Sequence, residues 1–233
     1  MLIGGLQKMT LIDYPGKVAA TVFTIGCNFN CSFCHNPELV DKEKIKKQPM
    51  IKEKVFFEFL ESRKNLLEGI CITGGEPTIQ NDLADFARKI KEMGFLVKLD
   101  TNGSRPKVLA RLLKNNLLDF VAMDIKSSSE KYCQVAGKFI KQKDILESVD
   151  LIKNSGKEYE FRTTALPGLI DKEDIRKIGQ LLKGAKLFVL QPFKMDKNLN
   201  GLWRGVKLYS EDDLKEMLEI ARQYFYQVEL RGV

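Results

Sequence analysis

Cys27-Asn28-Phe29-Asn30-Cys31-Ser32-Phe33-Cys34-His35-Asn36 places three cysteines within eight residues, separated by three and then two others. Thiolate is a soft ligand, and cysteines this close together in an unstructured segment can all turn toward one metal centre. A structural zinc site takes four ligands in a closed tetrahedron, and an iron–sulfur cube usually takes four cysteines. Here three cysteines are followed directly by His35, the one histidine of the chain. Adjacent residues do not easily turn onto one small ion, yet spacing alone leaves open a zinc knuckle of Cys27, Cys31, Cys34 and His35. The simpler reading is a four-iron cluster held by three thiolates. One iron then lacks a protein ligand and is free to bind a small molecule and pass it an electron.

The remaining cysteines do not extend this set. Cys71 sits in an apolar run, where a cysteine is more often a small buried hydrophobe, and Cys133 has no cysteine neighbour. Five cysteines, three of them in one loop, are a metal pattern and not a disulfide framework. The chain has 233 residues, 44% hydrophobic and 30% charged, which fits one globular domain over 1–233. The start of the chain carries no basic region and no long apolar run, so neither a secretory signal nor a membrane span is expected, and the cytoplasm is the expected location. The net charge is +7. Scattered lysines read as a solvated surface. Lys42, Lys44, Lys46 and Lys47, just after the cysteine loop, are a possible exception and a candidate docking surface. No recognisable nucleic-acid module accompanies them, so nucleic acid is not an expected partner.

Outward from the cysteine loop, residues 18–25 (VAATVFTI) are short, apolar and β-rich, and predict a buried strand. Residues 1–17 predict an N-terminal extension or hairpin, and 26–36 the cluster loop. Further strands are predicted at 69–73, 95–99, 120–125, 158–164 and 186–190, with a terminal strand at 228–230. Helices are predicted at 52–64, 82–93, 106–115, 143–154, 172–182 and 211–224 from apolar spacing such as Val55, Phe56, Phe59 and Leu60. Strand and helix alternate about six times, which implies an α/β fold with a parallel sheet and right-handed crossovers. Six units are too few to close an eight-fold barrel. Each polar motif falls at the C-terminal end of a predicted strand: Gly74-Gly75-Glu76-Pro77, Asp100-Thr101-Asn102-Gly103, Asp124-Ile125-Lys126 and Gln191-Pro192-Phe193. In barrel-like α/β proteins that rim builds the site. Taken singly, each of the first two motifs is adequate as a turn.

Cys-x3-Cys-x2-Cys, with Phe33 before the last cysteine, resembles the signature of the radical S-adenosylmethionine (SAM) enzymes. That resemblance implies a partial, TIM-like (β/α)6 barrel. It also implies a [4Fe-4S] cluster whose open iron binds the amino and carboxylate groups of SAM, and cleavage of SAM to methionine and a 5′-deoxyadenosyl radical. The longer text Leu11-Ile12-Asp13-Tyr14-Pro15-Gly16, with Gly26-Cys27-Asn28-Phe29 and Cys34-His35-Asn36-Pro37-Glu38, resembles the activating enzymes of glycyl-radical proteins, in particular that of the anaerobic ribonucleoside-triphosphate reductase. The implied function is an activase that places a glycyl radical on a partner enzyme, with flavodoxin or ferredoxin as electron donor. By the same resemblance Gly74, Gly75 and Glu76 hold the methionine amino group, and Phe33 lies near the adenine. Asp100 and Asn102 belong to the SAM pocket. Asp124 and Lys126 follow on the next strand end, where the two aspartates are expected to hold a monovalent cation. A compensating positive charge from such a cation or from Lys126 is what two carboxylates at one rim require. Arg162, in mid-strand, reads equally as a salt-bridge partner of Glu160 or Asp124 and as a contact to the SAM carboxylate or ribose. Without further cysteine runs, a one-cluster enzyme is implied. The alternatives are action on a pyruvate formate-lyase type of partner, on a small molecule or on RNA, and a non-enzymatic zinc module.

Overall fold

The computed structural model describes residues 1–195 and 203–232. Eight strands form one sheet in chain order: β1 (Ile3–Thr10), β2 (Ala19–Thr24), β3 (Gly69–Gly74), β4 (Leu96–Thr101), β5 (Phe120–Asp124), β6 (Glu158–Ala165), β7 (Leu187–Pro192) and β8 (Gln227–Leu230). Between and after them run α1 (Lys42–Ile45), α2 (Glu53–Glu61), α3 (Leu83–Glu92), α4 (Pro106–Lys114), α5 (Tyr132–Ala136), α6 (Gln142–Lys153), α7 (Lys172–Leu181) and α8 (Glu211–Ala221). β1, inside the stretch read from sequence as an N-terminal extension or hairpin, pairs antiparallel with β2 and so adds an edge strand to the sheet. Every later neighbour pairs parallel, from Thr21 opposite Cys71 to Val189 opposite Glu229. Each of β2–β7 is followed by helix, so six strand–helix units lead into β8. Two short helices, α1 and α5, were not legible from apolar spacing, because four or five residues are too few to show a 3.6-residue period.

The sheet curls. Neighbouring strands lie about 4.8 Å apart, so in a flat sheet β3 and β7 would be separated by roughly four such spacings. Yet Thr73 on β3, Asp100 on β4, Asp124 on β5, Arg162 and Thr164 on β6 and Gln191 on β7 all line one cavity of about 370 Å³. This arrangement is a partial barrel with the cavity inside it at the strand C-termini.

Its two ends are finished differently. At the strand N-termini Tyr14, Ala19, Phe120 and Ala122 form a small buried cluster. Tyr14 meets Phe120 edge-on, with ring centroids 5.9 Å apart. The loop after β1 therefore tucks Tyr14 under the barrel, and Asp13 beside it accepts the hydroxyl proton of Thr21 at 2.6 Å. The larger core lies between the outer sheet face and the helices. There Phe56 of α2 stacks on Phe86 of α3 at 5.0 Å, beside the buried Ile70, Ile72 and Ile90. Buried apolar side chains of this size each contribute about 1.5–3 kcal/mol. They hold the helices against the sheet and leave its inner face free for polar groups.

Candidate functional site

The cysteine loop leaves β2 at the barrel mouth and folds over it. Cys27, Cys31 and Cys34 line the same cavity, together with Phe33, Gly74, Gly75, Glu76, Asp100, Asn102, Asp124, Lys126 and Arg162. Every site residue expected from sequence thus meets in one place, although these residues come from five different segments. Cys31 and Phe33 are buried and Cys27 and Cys34 half-buried. Burial pushes the Cys27 thiol up to about 12 and the Cys31 thiol up to about 11, and it raises Cys34 as well. Thiols raised in this way bind a metal by giving up their protons.

The loop is held from three sides. Asn30 N–H donates to the carbonyl of Ala136, at the end of α5, at 2.9 Å. Asn102 Nδ2 donates to Asn28 Oδ1 at 3.1 Å and reaches Cys27 Sγ at 3.9 Å. The Asn28 amide in turn donates to Ser104 Oγ at 2.7 Å. Trp203 Nε1 donates to Ser32 Oγ at 3.3 Å. Asn28 and Ser104 had no sequence signal, because their roles exist only once the first and third rim loops meet.

The glycines of Gly74-Gly75 do something other than admit a ligand. Gly74 has φ +116°, and a Cβ on it would fall on the backbone of Thr24. A Cβ on Gly75 would overlap the carbonyl oxygen of Gly26. Gly75 N–H donates to Thr24 O at 2.9 Å and Glu76 N–H to Gly26 O at 2.8 Å. The pair lets two backbones touch, and so sets the height of the cysteine loop above the sheet. Gly75→Ala is therefore expected to lift that loop: overpacking of this kind costs typically about 1–3 kcal/mol. A Tm shift together with reduced iron uptake after anaerobic reconstitution checks it; unchanged iron content would show that the contact does not position the loop.

Glu76 requires a correction of emphasis. It is 1% exposed. Oε1 accepts from Thr78 N–H at 3.1 Å, Thr78 Oγ1 at 2.5 Å and Thr101 Oγ1 at 2.7 Å, and Oε2 accepts from Asn102 N–H at 2.7 Å. The carboxylate is first a staple joining the loops after β3 and β4. Burial raises its pKa despite these donors. Oε2, with a single protein donor, is the oxygen with capacity left for an ammonium group.

Below this level the barrel interior is charged. Arg162 Nε donates to Asp124 Oδ1 at 2.8 Å, and its Nη1 donates to Asp100 Oδ2 at 3.1 Å. Lys126 Nζ lies 3.1 Å from Asp124 Oδ2, and Lys98 Nζ bonds Asp100. Burial opposes ionisation of both aspartates, but Arg162 and the two lysines outweigh it and hold both carboxyls below the usual range. The monovalent cation expected beside Asp100 and Asp124 is thus not needed for charge balance, since the chain supplies a bridging guanidinium and two ammonium groups. The salt-bridge reading of Arg162 is met: it pairs with Asp124 and stands 3.7 Å from Glu160, and its side chain also lines the cavity. Lys126 Nζ also lies over the Phe33 ring, 5.9 Å from its centroid.

The donor set fits an iron–sulfur cube better than a zinc ion. Among the described residues no three His, Cys, Asp or Glu side chains are grouped to hold one metal ion. A tetrahedral zinc needs its sulfurs within roughly 2.3 Å of one centre. A cube offers each thiolate its own iron, so three cysteines spaced around one cavity suit it. Among the described residues no helix is long and apolar enough to cross a membrane.

Comparison with known proteins agrees with this geometry. Residues 21–182 match the family model described as the radical SAM superfamily. The whole chain is 37% identical over 240 residues to a Methanocaldococcus jannaschii protein named for glycyl-radical enzyme activation, covering 96% of that protein. It is 29% identical over 190 residues to the pyruvate formate-lyase-activating enzyme of Clostridium pasteurianum, covering 79% of this chain and 77% of the other. Among solved structures, Streptococcus suis SuiB bound to its precursor peptide SuiA superposes with a TM-score of 0.67 at 15% identity, covering 89% of this chain and 47% of that one. Methylornithine synthase superposes with a TM-score of 0.64 at 15% identity, over 88% and 63%. At such identities the structural likeness speaks for the fold.

Proposed function

The chain belongs to the radical SAM superfamily and, within it, to the activating enzymes of glycyl-radical proteins, and from that premise we propose that its partner is an anaerobic ribonucleoside-triphosphate reductase acting in the cytoplasm. The single observation behind the site reading is the convergence of Cys27, Cys31 and Cys34 with the four rim motifs on one cavity. The reductase rests on the text of residues 11–16 and 34–38. A pyruvate formate-lyase type of partner is the second reading, favoured by the similarity to the C. pasteurianum enzyme.

Cys27, Cys31 and Cys34 would hold the [4Fe-4S] cluster, and Gly74, Gly75, Glu76, Asp100, Asn102, Asp124, Lys126 and Arg162 would form the SAM pocket with Phe33. When bound, the cluster supplies the electron that splits SAM into methionine and the radical that takes a hydrogen atom from glycine. The residues of this chain bind, orient and exclude water. Glu76 Oε2 would accept from the SAM ammonium. Arg162 and Lys126, already fixed by two aspartates, would present positive charge to its carboxylate without reorganising. The Phe33 ring would cover the adenine. A reactive radical must be kept from water, so the glycine-bearing loop of the partner would close the barrel mouth.

Anaerobic incubation of reconstituted protein with the reductase, dithionite and SAM should give a persistent glycyl doublet by electron paramagnetic resonance. A doublet on pyruvate formate-lyase and none on the reductase would reassign the partner. None on either, with SAM intact, would overturn the activase reading.

A further inference from the structure

The electron that starts the reaction cannot enter by the barrel mouth, because SAM and the partner's glycine loop fill it during turnover; this premise rests on the function proposed above. The electron must cross a side wall of the cysteine loop. One wall is thin. Asn30, exposed and adjacent to Cys31, is bonded through its backbone to Ala136 at 2.9 Å, and a Cβ on Gly137 would overlap the carbonyl of Asn30. Directly beyond this contact the chain turns outward through Gly137, at φ +67°, into Lys138-Phe139-Ile140-Lys141-Gln142-Lys143.

This segment is a fixed platform. Ile140 is buried, its N–H lies 3.4 Å from Cys133 Sγ, and the Gln142 side chain bonds the carbonyl of Ser129. On that support Phe139 stands 84% exposed. Lys138, Lys141 and Lys143, its neighbours in sequence, are all exposed, and none has an ion-pair partner among the described residues. Single exposed apolar residues are ordinary. A firmly supported, exposed aromatic in a lysine-rich segment, one backbone hydrogen bond from a cluster-ligand neighbour, is the layout of a small, charge-steered contact. The lysines at 42–47 are a poorer candidate, because Lys46 is already paired with Glu43.

We propose that residues 138–143 dock an acidic, low-potential one-electron carrier protein. One electron passes from the reduced carrier through the Ala136–Asn30 contact to the cluster; the carrier leaves oxidised by one electron, and no proton or bond is exchanged. Negative side chains around the carrier's redox group would meet Lys138, Lys141 and Lys143, with Phe139 against its apolar centre.

The test uses reduced ferredoxin as the probe, with the holoenzyme and its K138E/K141E/K143E and F139S variants. Binding is read by surface plasmon resonance, and SAM cleavage is driven by ferredoxin or by dithionite. Loss of three steering charges should weaken ferredoxin binding and its kcat/KM at least about tenfold at low salt, with the gap closing as salt is raised. F139S should weaken binding without changing its salt dependence. Dithionite-driven cleavage should stay within about twofold of the parent, since neither site nor fold is touched. Unchanged ferredoxin binding in the triple variant would overturn the proposal. So would the same loss appearing in K42E/K44E/K47E instead. If the triple variant binds ferredoxin normally but yields less glycyl radical with dithionite, the surface belongs to the glycyl-radical enzyme. Because binding is read without turnover, absence of SAM cleavage would count against the proposed function and not against this surface.

Discussion

Cys31→Ala protein, reconstituted anaerobically with iron and sulfide, should hold well under half the iron of the parent and lose SAM cleavage by at least about a thousandfold, since even supporting residues around a metal site cost about 10–100-fold. The same result is expected for Cys27 and Cys34, whereas Cys133→Ala should keep its iron. The asymmetry follows from place: three thiols line one cavity, and Cys133 bonds its own loop at Ile140. Loading should also depend on pH in a definite direction. Burial raises all three thiols, so each binds iron by giving up a proton. Apparent affinity should therefore rise with pH, by up to about tenfold per pH unit for each proton displaced. Iron and sulfide analysis across the neutral to mildly alkaline range reads this out. Equal loading of Cys31→Ala and parent would remove the central premise.

Arg162→Leu should be the most damaging change that spares the cysteines. Among the described residues the guanidinium is the one group that touches both Asp100 and Asp124, and its removal leaves two carboxylates in the barrel with a lysine each. Breaking a buried pair from one side costs about 3–5 kcal/mol. Urea unfolding should show that loss, and calorimetry should show SAM binding weakened beyond what stability explains. Arg162→Lys should recover little, because an ammonium cannot span two partners as the fork does. The sign of the pH dependence provides a second check. Asp100 and Asp124 have carboxyls lowered by folding, so their contribution to stability is complete above the unfolded carboxylate range and is lost as pH falls through their folded values. The difference between parent and Arg162→Leu should therefore narrow below about pH 4. An Arg162→Leu midpoint equal to the parent's would show that the lysines alone neutralise the rim.

Much of this architecture is written in periodicity. Helix positions followed from apolar spacing, and strand ends from Gly, Pro and Asn-Gly, so the meeting of Glu76, Asn102, Asp124 and Arg162 at one rim was legible. What was not legible is which partner each group takes. Glu76 looked free for a ligand because Thr78 and Thr101 are unremarkable in sequence, and only the folded rim turns their hydroxyls onto it. Lys98 belongs to no motif and sits inside an apolar strand, although alternation puts it on the same inward face as Asp100 two residues later. That regularity was available and would have foretold an ion pair. Tyr14 belonged to a stretch valued for its resemblance; its packing against Phe120 shows a plain structural use for it. Trp203 beside Ser32 had no signal, since the two are 171 positions apart.

The order of the strands has a bearing on how the protein is made. The hairpin of β1 and β2 is a neighbourly pairing that can form as soon as it leaves the ribosome, and the sulfurs come directly behind it. Their shelter comes much later: Arg162 and Gln191 emerge after most of the chain has been synthesised, and β8 last of all. A nascent chain thus shows its thiols to the cell before it can enclose anything with them. Iron delivery then becomes a step of maturation that follows synthesis, and exposure to oxidants is most hazardous in the interval between the two.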